Sequence, residues 1–316
     1  MNSKLTKILE DKENAILKEK PQFSLNNSRS FGTEITKNFL RPLDPDTSDS
    51  HNPQRLGDYA KEIFSYLNSI ESQYLPQYGY MKFQTDINEK MRGILLDWLV
   101  GVHLKFKLLP ETLFLCANLI DRYLEKTSIL RGKLQLLGVA AMLIASKYEE
   151  IYPPSVKDFV YITDNTYTKE EVLWMEREIL KKLNFNITIV SPLKFIERYA
   201  RVSEMNERAY CLARYMIELS IIDYKSMRYK PSMIAASAVY LANKILNSDY
   251  IWPQSLINNT PYIENELKPC ARDLCILLQG AERSPLQAIK KKYSLQSYFE
   301  VSQIVIVMGP HVNSNK

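Results

Sequence analysis

The amino-acid sequence predicts an all-α fold made of two tandem helical domains. Only 9 of the 316 residues are glycine, which is few for a β-rich or nucleotide-binding fold. Helix-forming Leu, Ala, Lys and Glu, together with Ile, dominate the middle of the chain. There the apolar stretch LLGVAAMLIASK (136–147) aligns without a gap with MIAASAVYLANK (233–244). A helix that is apolar nearly all round belongs at the centre of a bundle, so each copy predicts the central helix of one domain.

The first 54 residues are predicted to form a disordered tail. They are polar, rich in Asn, Ser, Lys and Asp, and interrupted by four prolines, with no sustained apolar periodicity. A helix then begins near Asp58, because apolar residues from Tyr59 to Ile70 recur at three- and four-residue steps. Pro76 and Gly79 are expected to end this N-terminal helix.

Two sets of five helices follow. The first domain, residues 55–190 including the N-terminal helix, is expected to contain further helices near 88–106, 111–126, 133–149, 155–162 and 168–183. Thr168 and Glu171 form a T-x-x-E capping box at the start of the last of these. The second domain, residues 191–282, is expected to contain helices near 192–201, 206–222, 232–246, 253–258 and 263–280. Residues 283–316 form a less regular C-terminal extension, with a candidate extended segment from Ile304 to Met308.

Composition and motifs argue against several functional classes. The formal net charge of +5 is modest for this length and predicts no nucleic-acid binding. The four cysteines form no C-x-x-C pair and the three histidines are scattered, so we expect free thiols, no metal and no cofactor. The longest apolar run, residues 136–145, is too short to cross a bilayer, and the N-terminus lacks the apolar core of a secretory signal. The missing secretory signal predicts an intracellular protein. No P-loop, G-x-G-x-x-G or kinase catalytic loop occurs, so we expect that the chain is not an enzyme.

Two charged residues on apolar helices are candidates for a binding surface. Lys147 closes the most apolar helix, and Glu176 lies beside the apolar stripe of the helix that begins after Thr168. A buried charge without a partner loses its hydration free energy. Either the two groups pair with each other or reach solvent at a helix edge, or both point outward and hydrogen-bond the backbone of a partner protein.

The helix near 88–106 has two apolar faces. One consists of Met91, Ile94 and Trp98, and the other of Leu95, Leu99 and Val102. One face suffices to attach a helix to a core. Either this helix is buried on both sides, which the pattern alone favours, or the second face forms a shallow groove for a short peptide. Arg92 lies among these apolar residues, and Asp121 in the next helix is its expected partner in a structural ion pair.

Several long segments resemble the mitotic A/B-type cyclins. MRGILLDWLV, LRGKLQLLGVAAMLIASKYEEIYPP and YITDNTYTKEEVLWMEREILKKLNF resemble the first cyclin box, and SMRYKPSMIAASAVYLA resembles the second. The resemblance covers about residues 55 to 305, with Gly93 where alanine is usual. It implies two tandem five-helix cyclin boxes. It also implies a regulatory subunit of a cyclin-dependent Ser/Thr kinase that controls the G2/M transition and mitosis, in the nucleus and cytoplasm.

The resemblance also implies which residues bind the kinase. Lys147 and Glu176 match the lysine–glutamate pair of the family that contacts the kinase, which favours the outward-facing alternative. On this interpretation the two charges are satisfied only when the kinase is bound. The other matches are two apolar contacts nearby and two residues of the N-terminal helix that embraces the kinase: Tyr148, Phe185, Tyr59 and Ile63.

A second implied surface is the hydrophobic patch that docks Arg-x-Leu-type motifs of substrates and inhibitors. The residues that match it are Met91, Ile94, Trp98, Leu134 and Gln135. Gly101 stands where A-type cyclins carry an acidic residue that reads the basic part of such motifs. The resemblance therefore implies a groove with a weaker preference for a cationic residue.

The tail contains a KEN sequence at Lys12, Glu13 and Asn14. In a mitotic-type cyclin it implies a degradation signal read by the anaphase-promoting complex, whereas a chance match in a Lys- and Asn-rich tail is the alternative. No Arg-x-x-Leu destruction box occurs in the first 54 residues. A-like and B-like segments are mixed, since LRGKLQL is A-like whereas ASKYEE and TDNTYTK are B-like, so the sequence fixes neither the timing nor the kinase.

Two other protein classes are compatible with an all-α chain of this size. A DNA-bound transcription factor with tandem cyclin folds would be expected to carry an N-terminal zinc ribbon, but no cysteine precedes Cys116. A helical isoprenoid synthase would require D-D-x-x-D metal motifs, and the sequence contains none. Both classes are therefore disfavoured.

Overall fold

The computed structural model describes Asp46 and residues 56–304, and this described part consists of helices and loops without a β-strand. The first domain contains α1 (Ala60–Ile70), α2 (Glu89–Lys105), α3 (Pro110–Lys126), α4 (Arg131–Glu149), α5 (Val156–Ile162) and α6 (Lys169–Lys182). The second contains α7 (Pro192–Val202), α8 (Glu207–Ile222), α9 (Pro231–Ile245), α10 (Gln254–Asn259) and α11 (Glu264–Gly280). A twelfth helix, α12 (Ala288–Tyr293), follows in the C-terminal extension.

The predicted all-α fold with two five-helix sets is confirmed, and the predicted ends of the ten helices lie within two residues of the observed ones. The sequence analysis did not predict α12. Of the candidate extended segment Ile304–Met308, all but Ile304 lies outside the described residues.

The helix starts follow from local sequence. Pro110, Pro192 and Pro231 each occupy the first turn of a helix, where proline has no N–H bond to lose. The capping box at α6 is confirmed: Thr168 Oγ1 accepts from the Glu171 N–H at 3.2 Å, and Glu171 Oε2 accepts from the Thr168 N–H at 3.0 Å.

Helices α4 and α9 are the central helices of the two domains, as their sequences predict. Every residue of α4 from Leu136 to Ser146 is buried, and so is every residue of α9 from Ile234 to Asn243. Helix α2 crosses α4 at Gly138, where an added Cβ would lie 2.8 Å from Leu95 Cδ1 and 3.2 Å from Leu99 Cδ1. The absence of a side chain at this position therefore sets the distance between the two helices.

A buried polar network joins the two domains. Arg92 Nε and Nη2 donate to the two carboxylate oxygens of Asp121 at 2.6 and 2.7 Å, and Arg92 Nη1 donates to the Ile222 carbonyl of the second domain at 3.2 Å. Tyr80 donates its hydroxyl proton to Asp121 at 2.8 Å, and its ring meets that of Tyr224 edge-on. Burial alone would lower the pKa of Arg92, but the charge and hydrogen bonds of Asp121 outweigh it and raise that pKa.

The described part of the C-terminal extension, residues 283–304, packs against α2 and α8. Asp97 of α2 accepts a hydrogen bond from the Ala288 N–H at 2.9 Å. The Lys292 ammonium lies 2.7 Å from both carboxylate oxygens of Glu218 in α8, and the Tyr293 hydroxyl donates to the same carboxylate at 2.7 Å. Both charged side chains are almost completely buried, so this pair is sustained by its mutual hydrogen bonds rather than by water.

His103 is a buried titratable group at the end of α2. Its Nε2 lies 2.9 Å from the Leu109 carbonyl oxygen, which selects the tautomer that is protonated at Nε2. Its Nδ1 is buried without a hydrogen-bond partner. Burial lowers the pKa of His103 below its ordinary value, because a second proton would place an unpaired charge in the core.

We expect Gly138→Ala to lower the free energy of unfolding by about 1 to 3 kcal/mol, because the new methyl group overlaps two leucines held against α4. Gly93→Ala in α2 is the matched control. There the added Cβ would lie 3.3 Å from Leu286 Cδ1, 3.6 Å from Ile222 Cγ2 and 3.7 Å from the Ile222 carbonyl oxygen, and alanine favours the helix by about 1 kcal/mol. Urea denaturation of both variants measures the difference. Equal effects at the two positions would contradict the close approach at Gly138.

We also expect His103 to make the free energy of unfolding fall on acidification. The unfolded histidine, with a pKa of about 6.5, binds a proton more readily than the folded one, so stability is lost as the pH falls below that value. Urea denaturation between pH 7.5 and pH 5 should show a smaller decline for His103→Gln than for the parent chain. Parallel declines would contradict this assignment.

Candidate protein-binding surfaces

Lys147 and Glu176 lie side by side on the surface of the first domain. Lys147 is in the last turn of α4 and Glu176 is in the middle of α6, and the Lys147 Nζ to Glu176 Oε1 distance is 2.7 Å. The lysine side chain is 47% exposed, whereas the glutamate side chain is only 13% exposed. The ammonium group therefore keeps donor capacity directed at solvent, while the carboxylate is mostly buried.

This geometry corrects one expectation. The sequence analysis expected both charges to be satisfied only on binding a partner, but in the free chain they already satisfy each other. An internal ion pair and an outward-facing binding surface also prove compatible, because the Lys147–Glu176 pair is part of the surface. A pair that is already in position requires less ordering on binding than two separate mobile side chains.

Exposed apolar side chains lie around this pair. Tyr148 is half exposed, and its hydroxyl lies 3.2 Å from Thr188 Oγ1, so the end of α4 contacts the segment that follows α6. In that segment Phe185 has a left-handed backbone with φ of 56°, its N–H donates to the Leu180 carbonyl, and its ring is exposed. A bulky residue in this conformation costs free energy, and here it directs an aromatic ring outward.

The sequence analysis missed two of the most exposed apolar side chains. Ile151 and Tyr152 follow Glu150, the residue after α4, and are 86% and 91% exposed. An apolar dipeptide between two glutamates and two prolines could have indicated a projecting loop. Tyr59 and Ile63, the other predicted residues, lie at the start of α1, which packs on the second domain through Phe64 and Phe195. Tyr59 is exposed and Ile63 is half-buried.

A groove of about 280 Å³ lies between α2 and α4. Its lining contains all five predicted patch residues together with one further apolar and one cationic side chain: Met91, Ile94, Leu95, Trp98, Arg131, Leu134 and Gln135. The opposite face of α2 is buried in the core. The alternative in which α2 is buried on both sides is therefore wrong, since Ile94 is half exposed in the groove.

The predicted KEN sequence at residues 12–14 lies outside the described residues. Within residues 56–304 no cluster of three metal-ligating side chains is present. No helix of that same part is long and apolar enough for a membrane span.

Two family models match the chain: Cyclin, N-terminal domain, over residues 62–188, and Cyclin, C-terminal domain, over residues 190–306. The chain is 43% identical to the G2/mitotic-specific cyclin-B of Spisula solidissima over 296 residues, which cover 92% of this chain and 69% of that protein. It is 46% identical to cyclin-A1 of Mus musculus over 246 residues, covering 78% of this chain and 58% of that protein.

A solved structure of a viral cyclin from herpesvirus saimiri has the same fold. The TM-score is 0.61 at 22% sequence identity, and the match covers 71% of this chain and 98% of the viral one. The chain spans 58% to 75% of the length of the curated cyclins it matches.

Proposed function

The chain belongs to the cyclin family, and we propose that it binds and activates a cyclin-dependent Ser/Thr kinase as its regulatory subunit. Members of the family are regulatory subunits of kinases and not enzymes themselves. We further propose that this chain acts at the G2/M transition and in mitosis, in the nucleus and cytoplasm. The timing is supported by the names of the B-type relatives, such as the G2/mitotic-specific cyclin-B of Spisula solidissima.

The observation that carries the proposal is the exposed apolar surface around the Lys147–Glu176 pair. Tyr148, Phe185, Ile151 and Tyr152 present side chains that a free soluble domain would ordinarily cover. Burial of such side chains on a partner supplies the association free energy, and regulatory interfaces of this class bury about 2,000 Å² or more. The exposed ammonium then donates to backbone carbonyl groups of the partner, which fixes the orientation.

Activation follows from what a kinase requires. A glutamate on the kinase helix called αC must pair with the kinase lysine that positions ATP, and the kinase activation segment must move out of the substrate site. A rigid apolar surface that packs on αC and the activation segment binds the active arrangement better than the inactive one and so shifts the population toward it. The fixed Lys147–Glu176 pair suits this role because it needs no rearrangement on binding.

The groove between α2 and α4 is proposed to dock short apolar motifs of substrates and inhibitors. Its floor is provided by buried Leu134, and its walls by Met91, Ile94 and Trp98. Docking at a site away from the kinase active centre raises the effective concentration of the substrate.

We expect the exchange Lys147→Glu with Glu176→Lys to abolish co-purification with the kinase. The exchange preserves an internal ion pair and the net charge but reverses the polarity presented to the partner. Because the exchange keeps an ion pair whose other end is half exposed, the circular dichroism and the melting temperature should change little.

The matched control is Lys268→Glu with Glu264→Lys, an exchange of another exposed ion pair, on α11. It should leave kinase recovery unchanged. Full kinase recovery by the exchanged Lys147–Glu176 pair would remove this pair from the proposed interface, and unfolding of that variant would show a purely internal role.

For the groove, we expect Met91→Ala with Trp98→Ala to lower phosphorylation of substrates that carry a docking motif by about tenfold or more. Short peptides that contain only the phosphorylation site should lose little, because they do not reach the groove. Steady-state kinetics of the kinase complex with the two substrate types provides the measurement. Equal losses on both would indicate damage to the core instead.

We also propose that the KEN sequence of the tail is a degradation signal read by the anaphase-promoting complex. Changing Lys12, Glu13 and Asn14 to alanine is expected to prolong the half-life of the protein at mitotic exit, measured by a translation-block chase in synchronised cells. Alanine at Lys18, Glu19 and Lys20 in the same tail is the control. Unchanged decay of the KEN variant would identify the match as a coincidence.

A further inference from the structure

The face of α2 that lines the groove continues along the helix beyond Trp98. Ile94, Trp98, Gly101 and Lys105 follow at steps of four, three and four residues, so they share one face of the helix. Gly101 is exposed, and a Cβ added there would meet no atom within 4 Å. An open path about 10 Å long therefore leads from the Trp98 position to the Lys105 position, at 1.5 Å of helix rise per residue.

That path ends at a cationic and aromatic site. The Lys105 ammonium lies 5.7 Å from the centroid of the Tyr161 ring of α5, and this ring is 70% exposed. Lys157 is one turn before Tyr161 and on the same side of α5. The adjacent carboxylate, Asp158, is already engaged, since its Oδ2 accepts from the backbone and hydroxyl of Ser155.

The rim of the groove carries a second cation. Arg131 lines the groove and its side chain is 71% exposed. Asp86 Oδ2 accepts a hydrogen bond from the Arg131 backbone N–H at 2.7 Å, and Asp86 Oδ1 lies 3.4 Å from Arg131 Nε. The guanidinium Nη groups stay available to a second carboxylate or phosphate. No carboxylate belongs to the lining itself, so charge complementarity favours an anionic occupant.

This inference rests on the proposed docking function of the groove. We propose that the groove selects segments in which an acidic or phosphorylated side chain lies about three residues from the apolar anchor, and discriminates against a basic residue there. An extended chain rises about 3.3 Å per residue, so three residues span the distance between Trp98 and Lys105. Lys105 and Gly101 are the specificity-determining residues, with Lys105 supplying the charge and Gly101 the open path.

Fluorescence anisotropy of the purified full chain with labelled peptides tests this proposal. Three peptides share one apolar anchor and differ in a single residue three positions away, which is phosphoserine, alanine or arginine. At low salt the phosphoserine peptide should bind about three- to tenfold more tightly than the alanine peptide, and the arginine peptide more weakly, with the differences shrinking as salt is added.

Two variants locate the effect. Lys105→Glu should abolish or reverse the order of the three peptides, and so should Gly101→Glu, whose carboxylate lies four residues before Lys105 and can pair with it. Lys225→Glu, at an exposed position of the 3₁₀ turn Tyr224–Arg228 in the second domain, makes the same change in net charge as Lys105→Glu and should keep the order.

The outcomes distinguish the two proposals. Equal binding of the three peptides, or preference for arginine, would overturn the charge selection and leave the docking groove intact. Binding of none of them by the parent chain, or binding that survives Met91→Ala with Trp98→Ala, would overturn the docking function and with it this inference.

Discussion

The bidentate ion pair between Arg92 and Asp121 is the interaction on which the arrangement of this protein depends. It lies where the segment that contains Tyr80, the helices of the first box and the second box meet. The same guanidinium group donates to the Ile222 carbonyl. A buried pair of this kind contributes little net free energy compared with apolar packing, but the loss of one partner would leave an uncompensated charge in the core. The geometry of the junction is thereby fixed. Because Arg92 belongs to α2, the pair also orients the helix that lines the proposed docking groove.

Helix α2 serves three roles with one sequence. Leu95 and Leu99 pack on Gly138 of α4, Asp97 holds the C-terminal extension, and Met91 with Trp98 lines the groove. A helix that makes contacts on several sides can move only if these contacts break together, so the groove is a rigid, preformed site. The proposed kinase-binding surface has the same character, since its ion pair is already formed in the free chain.

The fold could be predicted from sequence because its signals are local and repeated. The two central helices are apolar nearly all round, and prolines and a capping box mark helix starts at the observed residues. The five groove residues and the Arg92–Asp121 partnership also lie where the sequence patterns and the family resemblance indicated. What could not be predicted depends on contacts between distant segments. Lys292 and Glu218 look like ordinary surface charges in their own helices, and only the return of the chain buries them together.

The contact of Lys147 with Glu176 was one of the alternatives that the sequence left open, for a related reason. Periodicity places each residue on its own helix but gives no distance between α4 and α6. The exposure of Ile151 and Tyr152 was missed because these are residue types that are often buried, and only their glutamate and proline neighbours indicate a loop.

The hydrogen bond from Ala288 to Asp97 spans 191 residues of sequence. At about 5 to 20 residues per second, a ribosome takes about 10 to 40 seconds to deliver the second partner after the first. Throughout that interval the part of α2 that receives the returning chain stays uncovered, whereas the groove on α2 remains open even in the finished protein. The fold is therefore completed by the arrival of α12 rather than by the closure of either box.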